Sequence, residues 1–475
     1  MKRYDAVIVG SGAAGAVMAY RLSSKGMSVL VLERGKREDP ATFEHNEMEM
    51  LPRIYKNGGL QTTANLDLAI MQGCTVGGST VVNNAIWLRA DLDRLLPDWK
   101  TRGADLDRAR MEAAYTDLES KLRVSQIPMA LANNGTDVFL RGCEALGIPA
   151  RLLSHNRDEC IGCGWCNYGC RYNRKTSMLV TFIPWAESHG AEVIDQCRDV
   201  RLTRRGSAIA EVRYHRLGVT ETVAADRVVV CAGAIGSSDL LLRNDITQRG
   251  TVGRGFHALG GVMVTAEMIG QVDGYDKIGL TCVADVGDEC VVETFFSPPG
   301  AFSITLGGWF AAHYDRMHRY TRFTQAGVMV GTDPTGRITI DRKGRTKIDL
   351  SFSQRDLDRL KKGVGTLAGI FFAAGAISVL PSSYRFIELT NPGDVHLIDE
   401  QVQHADDLLL GSAHPQGGNV ICEDPSKGVV DPSFRVHGFD NLFVVDASVF
   451  PSNLWANCQA TVMALSHMAS DHVAA

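Results

Sequence analysis

Four cysteines fall within eleven residues, Cys160, Cys163, Cys166 and Cys170, in the stretch C-I-G-C-G-W-C-N-Y-G-C. The spacing C-x2-C-x2-C-x3-C is the one a bacterial ferredoxin run uses, so the first chemistry to weigh is an iron–sulfur cluster. Zinc is a second reading, weakened because structural zinc sites bring their ligands as two separated pairs. A metal-free role, as small buried thiols or a redox disulfide, is a third. Two details count against a ferredoxin parallel: the fourth cysteine of such a run serves another cluster there, and the proline that follows it is Arg171 here. A different chemistry is written at the start of the chain, in Gly10-Ser11-Gly12-Ala13-Ala14-Gly15. Gly10 permits a tight turn, Gly12 lets backbone approach a pyrophosphate, and Gly15 lets a helix pack on a strand. Glu33, eighteen residues after Gly15, stands where a carboxylate binds ribose hydroxyls.

The elements needed to position these groups are legible around them. Tyr4–Gly10 reads as a buried strand, about 13–26 as a helix, and Ser28–Glu33 as a second strand, which makes a βαβ opening whose helix N-terminus faces an anion. A helix is expected near Leu106–Leu122, a loop around Asn133–Gly135, a helix over Ser177–His189 and a strand at Ala191–Ile194. Strands follow at Ser207–Tyr214 and Thr222–Val230, the latter running into a second strand–turn–helix at A-G-A-I-G. Between about 256 and 355 the alternation of polar and apolar residues predicts an antiparallel sheet. Its clearest hairpin joins Arg337–Asp341 to Lys347–Phe352 across Lys343-Gly344.

Bulk properties narrow the classes. The chain has 475 residues, enough for two or three domains, and a net charge of -5 that gives no electrostatic case for nucleic acid. It opens MKRYDAVIVG, entering a strand at once, so no leader is expected; twelve cysteines then argue for a reducing compartment, with the cytoplasm as the expected location. The uncharged stretch Val364–Leu380 is at the short limit for a membrane span, and its glycines and the ISVLP ending favour a buried helix followed by a strand.

Two later segments separate FAD from NAD. One is G-C-T-V-G-G-S-T-V-V-N-N, residues 73–84; the other is G-S-A-H-P-Q-G-G from Gly411, then N-L-F-V-V-D-A-S from Asn441 and N-C-Q-A-T from Asn457. Taken in this order, with the hairpin at 332–345, the chain resembles the glucose–methanol–choline (GMC) family of FAD oxidoreductases from end to end. Its H-P-x-G-G and late N-x-x-x-T signatures look most like the cholesterol oxidase and long-chain alcohol oxidase branch. The resemblance implies an α/β fold: a Rossmann-like FAD-binding domain (1–90, 176–255 and 406–475) interleaved with an α+β substrate domain on an antiparallel sheet (256–405) and a cap region with the cysteine run (91–175). Carried over by residue, Gly10, Gly12, Gly15 and Glu33 hold the ADP half of FAD. Gly78, Ser79 and Asn83 line the flavin, Asp446 and Ala447 lie near the phosphate and ribityl chain, and Val200 meets adenine through its backbone. His414 and Asn457 match the catalytic pair beside flavin N5.

That pair suits alcohol oxidation, which removes a proton from oxygen and a hydride from carbon. Histidine is a base near neutrality, an amide can hold the same oxygen in place, and a helix N-terminus at Asn457 would favour charge arriving on the flavin. Asn457 is equally suited to be an ordinary N-cap. The implied substrate is a small-molecule alcohol, apolar and cyclic or long-chain. Phe295, Phe296, Phe302, Trp309, Phe310 and Tyr314 are candidates to line its site, with core the expectation for most. Some family dehydrogenases drain the flavin through a cysteine-bound cluster of different spacing, so an acceptor protein or quinone is an implied partner. Relatives of the cholesterol oxidase type carry a segment like Gly169–Lys175 that is no metal site. Two rival functions stand beside oxidation: a non-redox lyase of the hydroxynitrile lyase type and a flavin/iron–sulfur reductase.

Overall fold

The computed structural model describes residues 1–287 and 290–475. Two sheets share the chain. The first has seven strands, with Arg3–Val9 flanked in parallel by Val29–Leu32 and Val219–Val230. Glu192–Ile194 extends it on one side. Leu442–Val444 runs parallel to the end of Val219–Val230, and Ala208–Arg216 and Arg198–Arg205 complete it antiparallel. The V-L-V-L run is buried throughout because helices cover parallel sheets on both faces. Helix Ala13–Ser23 packs on this sheet beside the last helix, Gln459–Ala474, and the two are joined by Ser466 Oγ donating to the Ala14 carbonyl at 2.7 Å.

The second sheet has ten strands, and the long strand Arg254–Met268 is its hub. Antiparallel to it lie Phe323–Gly331, Ala376–Pro381 and Leu410–Gln416, and the hairpin attaches at its start. The hairpin is formed as expected, by Gly336–Ile340 and Thr346–Asp349 with Ile338 opposite Ile348. Its turn is fixed by Asp341, whose carboxylate accepts from the Lys343 and Arg345 amides. The uncharged stretch begins inside helix Gln354–Ala373, which starts at a Ser353/Asp356 capping box and buries Leu357, Leu360, Val364, Leu367 and Phe371 at helical spacing. It ends in strand Ala376–Pro381. Among the described residues no helix is long and apolar enough to cross a membrane.

Several expectations need correction. The division at 405/406 is not where the sheets part: Leu410–Gln416 belongs to the larger sheet, paired also in parallel with Leu68–Ile70. The loop at 133–135 is a helix start, with Asn133 Oδ1 accepting from the Thr136 amide and helix Asn134–Ala145 following. The helix expected over 177–189 is confined to Phe182–Ser188. Of the aromatic residues, Phe296 and Phe302 are core, packed with Phe323, Leu306 and Leu380. Trp309, Phe310 and Tyr314 are exposed instead, Phe310 at 94 %, because the short helix Phe310–Met317 lies on the surface with none of its residues buried.

Candidate active site

The first strand ends at Gly10, whose φ of 104° and contact with the Cys231 carbonyl (2.4 Å from an added Cβ) leave room for glycine alone. Helix Ala13–Ser23 then begins with Gly12 as its N-cap and no side chain capping it, so its first amides are open to an anion. The residues of the 73–84 segment meet this turn directly. Ser11 Oγ accepts from the Gly77 amide at 3.0 Å, and a Cβ on Gly78 would stand 2.8 Å from Gly12 Cα. Glu33 is more engaged than a free ribose ligand would be. Its Oε2 accepts from the Ser11 amide (3.0 Å) and hydroxyl (2.7 Å), and its Oε1 from the Gly35 amide (2.7 Å). Burial raises its pKa and these bonds pull it back.

Asp446 closes the second glycine turn. Its carboxylate accepts from the Gly233 amide at 2.9 Å, the Ser237 hydroxyl and the Ser448 amide at 2.8 Å. Burial still raises its pKa. Helix Gly233–Arg243, which follows, also lacks a side-chain cap. The Ala447 carbonyl accepts from the Gly417 amide at 2.9 Å, which ties this block to the end of the His414 strand. Ser79 Oγ accepts from the Gly73 amide. Asn83 is turned to the final helix: its amide donates to Gln459, and its Oδ1 accepts from the Ala85 amide. Val200 lies on the edge strand Arg198–Arg205, with its carbonyl accepting from Asn244 Nδ2 at 3.2 Å.

His414 is not on a loop. It sits in strand Leu410–Gln416 opposite Leu259, its amide donating to Ser412 Oγ, which in turn donates to the Leu259 carbonyl. Its Nε2 lies 3.4 Å from Asn457 Nδ2 and its Nδ1 3.8 Å from Cys458 Sγ. Burial drops His414 to about 4 and pushes the Cys458 thiol up to about 11. At neutral pH the imidazole is therefore uncharged and the sulfur keeps its proton. Asn457 is not the N-cap: the last helix begins at Gln459, Cys458 occupies the cap position, and no side chain caps it. The Asn457 side chain is spent on the site instead.

One residue here escaped the sequence. Glu293, in strand Val291–Phe295, is buried, and burial pushes its carboxyl up to about 7 while Asn457 pulls it down. Glu293 Oε2 and Asn457 Oδ1 are both buried without a partner among the described residues. Such orphans cost about 1–3 kcal/mol each when nothing satisfies them, and they mark a place where a polar group of a ligand is wanted. A cavity of about 650 Å3 opens beside the preceding loop 452–456, with Arg89, Asp98, Arg102 and Asp333 among its lining residues. Neither His414 nor Asn457 lines it.

The cysteine run folds as a loop beside the 81–84 segment, which it grips with several bonds. Lys175 Nζ donates to the carbonyls of Val81, Asn83 and Cys166 at 2.6, 2.8 and 2.8 Å. Asn167 donates to the Val82 carbonyl at 2.9 Å. None of the four cysteines is in a disulfide, and all four line one small cavity. Among the described residues no three His, Cys, Asp or Glu side chains are gathered as they would be around one metal ion. A metal site at Cys160, Cys163, Cys166 and Cys170 is thus not shown among the described residues, and Arg157 reaches two of the sulfurs, 3.8 Å from Cys160 and 3.0 Å from Cys166. Burial lowers the Lys175 ammonium to about 8, which leaves it charged at neutral pH.

Comparison with known proteins gives the family and the fold. The sequence matches the GMC oxidoreductase family over residues 51–258 and again over 332–466, and the NAD(P)-binding Rossmann-like domain over 8–40. It is 30% identical to an uncharacterised GMC-type oxidoreductase of Sinorhizobium fredii, across 97% of this chain and 93% of that one. It is 26% identical to a long-chain-alcohol oxidase of Arabidopsis thaliana, across 99% of this chain and 68% of that one. The crystal structure of pyridoxine 4-oxidase from Mesorbium loti shares the fold, with a TM-score of 0.74 at 19% identity over 98% of both chains.

Proposed function

Since the chain belongs to the GMC oxidoreductase family, and is an FAD-dependent oxidoreductase acting on CH–OH donors, we propose that it oxidises an apolar, cyclic or long-chain alcohol to a carbonyl compound with His414 as the base. The observation that carries this is the buried trio: a neutral imidazole beside Asn457, with Asn457 Oδ1 and Glu293 Oε2 lacking partners among the described residues. A polar ligand group beside His414 and Asn457 is what such a set lacks. The proton of the substrate hydroxyl passes to His414 Nε2, and its oxygen accepts from Asn457 Nδ2, which holds the hydroxyl-bearing carbon in one pose. Glu293 keeps its own proton below about pH 7 and so adds no second negative charge beside the departing proton.

The residues fit FAD. Three helices, starting at Ala13, Gly233 and Gln459, have N-termini with no side-chain cap. A Cβ built on Gly12 would meet nothing nearer than Gly78 Cα at 3.9 Å, so backbone is bare where a pyrophosphate would lie. When bound, the flavin supplies the hydride acceptor. Gly10, Gly12, Gly15 and Glu33 would hold its adenosine end, with Val200 beside the adenine. Gly78, Ser79 and Asn83 would line the ring, and Asp446 and Ala447 would border the phosphate and ribityl chain. The apolar substrate class follows from the similarity to a long-chain-alcohol oxidase, with an acceptor protein or a quinone taking the electrons.

The test is anaerobic bleaching of the bound flavin across a panel of linear and cyclic alcohols. His414→Ala is expected to slow bleaching by about 10²–10⁴ while flavin content stays the same. Flavin that no alcohol bleaches would point to the lyase reading instead.

A further inference from the structure

The cysteine run has no part in the alcohol chemistry, yet its surroundings are specific. Three of the four sulfurs accept hydrogen bonds. Cys160 receives the Gly162 amide at 3.5 Å, and Cys170 the amides of Arg174 and Lys175 at 3.3 and 3.4 Å. Cys166 receives Arg157 Nη1 at 3.0 Å. None of the four donates in any described bond. Elsewhere in the chain Cys197 donates to the Ile194 and Asp195 carbonyls, and Cys282 to that of Val283. Donors converging on sulfur, with no S–H outlet, are the environment of ligated thiolate.

The charges agree. Arg157 is 8 % exposed and Lys175 2 %. Neither has a carboxylate partner among the described residues. Arg157 bonds His155, the Asn84 carbonyl and two sulfurs, and Lys175 bonds only carbonyls. The nearby acids are spent elsewhere, Asp158 on Arg123 and Glu159 on Arg174. Two buried cations without an anion are costly, and something negative must balance them. Four thiolates around an oxidised [2Fe–2S] or [4Fe–4S] core carry about two negative charges, which matches. Among the described residues no three such side chains are gathered around one point as a single ion needs, whereas a cluster takes its ligands from a wider ring. The loop is shaped for this: Gly162, Gly164 and Gly169 all have positive φ, and a Cβ on Gly164 would stand 2.4 Å from the Lys277 carbonyl.

We propose that Cys160, Cys163, Cys166 and Cys170 bind an iron–sulfur cluster whose charge is balanced by Arg157 and Lys175. The site adjoins the segment 81–84 through the Lys175, Arg157 and Asn167 bonds, so it lies one strip of backbone from the residues assigned to the flavin. It stands independently of the alcohol reading, because iron content tests one and flavin bleaching the other.

The experiment uses the flavin-loaded full chain, purified anaerobically and incubated with ferrous iron and sulfide. The expected result is about two to four iron atoms per chain with equal acid-labile sulfide, and an electron paramagnetic resonance signal on reduction. Iron and sulfide at trace level after this treatment would overturn the proposal, as would stoichiometric zinc or a disulfide within the run. Cys163→Ser and Cys170→Ser are expected to lose the iron while the flavin spectrum persists. Arg157→Gln is expected to lower the midpoint potential of the cluster, since it removes a buried positive charge. If these variants fail to fold, the iron and sulfide content of the unaltered chain still decides.

Discussion

Replacing Glu293 by glutamine removes a titrating group while keeping its shape, and the structure sets the size of the effect. The carboxyl moves from 4.5 to about 7 because it is buried. Over that range the native chain holds a proton that the unfolded chain has released, so stability falls as pH rises, by at most about 1.4 kcal/mol per pH unit. Above about pH 7 the loss is complete and amounts to about 3 kcal/mol. Below pH 4.5 both states are protonated and no penalty remains. Glu293→Gln cannot ionise, so it should match the parent protein in acid and gain on it steadily towards neutrality, ending about 3 kcal/mol more stable. Urea unfolding of the flavin-loaded protein at steps between about pH 5 and pH 8 reads the difference directly. The gap must open with pH. Parallel curves for the two proteins across that range would refute the burial argument, and so would a variant that loses stability as pH rises.

Other outcomes follow from the same geometry. The acid limb of kcat/KM should fall through about pH 4, where burial places His414, and not through the ordinary histidine value of 6.5; a limb at the ordinary value in steady-state rates would show that the imidazole is solvated. Gly78→Ala should strip FAD, because its Cβ would stand 2.8 Å from Gly12 Cα and its φ is +55°. Gly26→Ala is the control: it has positive φ but nothing within 4 Å, so it should cost about 1 kcal/mol and leave flavin content unchanged by absorbance. Lys175→Met should lower the melting temperature by leaving three carbonyls without their donor, at about 1 kcal/mol or more apiece.

The βαβ opening was readable because its signals are local: a V-I-V-G run, glycines at fixed offsets, then V-L-V-L and an acid. The hairpin at 336–349 was readable for the same reason, since alternation and a turn glycine occur within a few residues. The His414 strand was hidden by its own sequence, G-S-A-H-P-Q, which holds a proline and little β-branching. It pairs because Arg254–Met268 offers an edge, which is a tertiary fact. Glu293 gave no sign either. One acid in V-V-E-T-F looks like the solvent face of a strand, yet both faces are covered here. Only the alternative cap role of Asn457 fails, because N-C-Q-A-T suits a cap at either of two positions and packing chose Cys458. The charges that answer the cysteines were visible but unread: Arg157 stands three residues before Cys160, and Lys175 five after Cys170.

The order in which this chain leaves the ribosome has a consequence for how it must be handled in the cell. Strand Leu68–Ile70 finds its parallel neighbour at Leu410–Gln416, Val228–Val230 waits for Leu442–Val444, and helix Ala13–Ser23 is covered by the very last helix. At ordinary synthesis rates the first helix spends on the order of tens of seconds outside the ribosome before its cover arrives. Its buried face, with Ala16, Val17 and Met18 fully enclosed in the finished protein, is open to water for that time. The first helix cannot be fully covered until helix Gln459–Ala474 arrives, so loss of that helix should yield insoluble protein instead of a weaker enzyme.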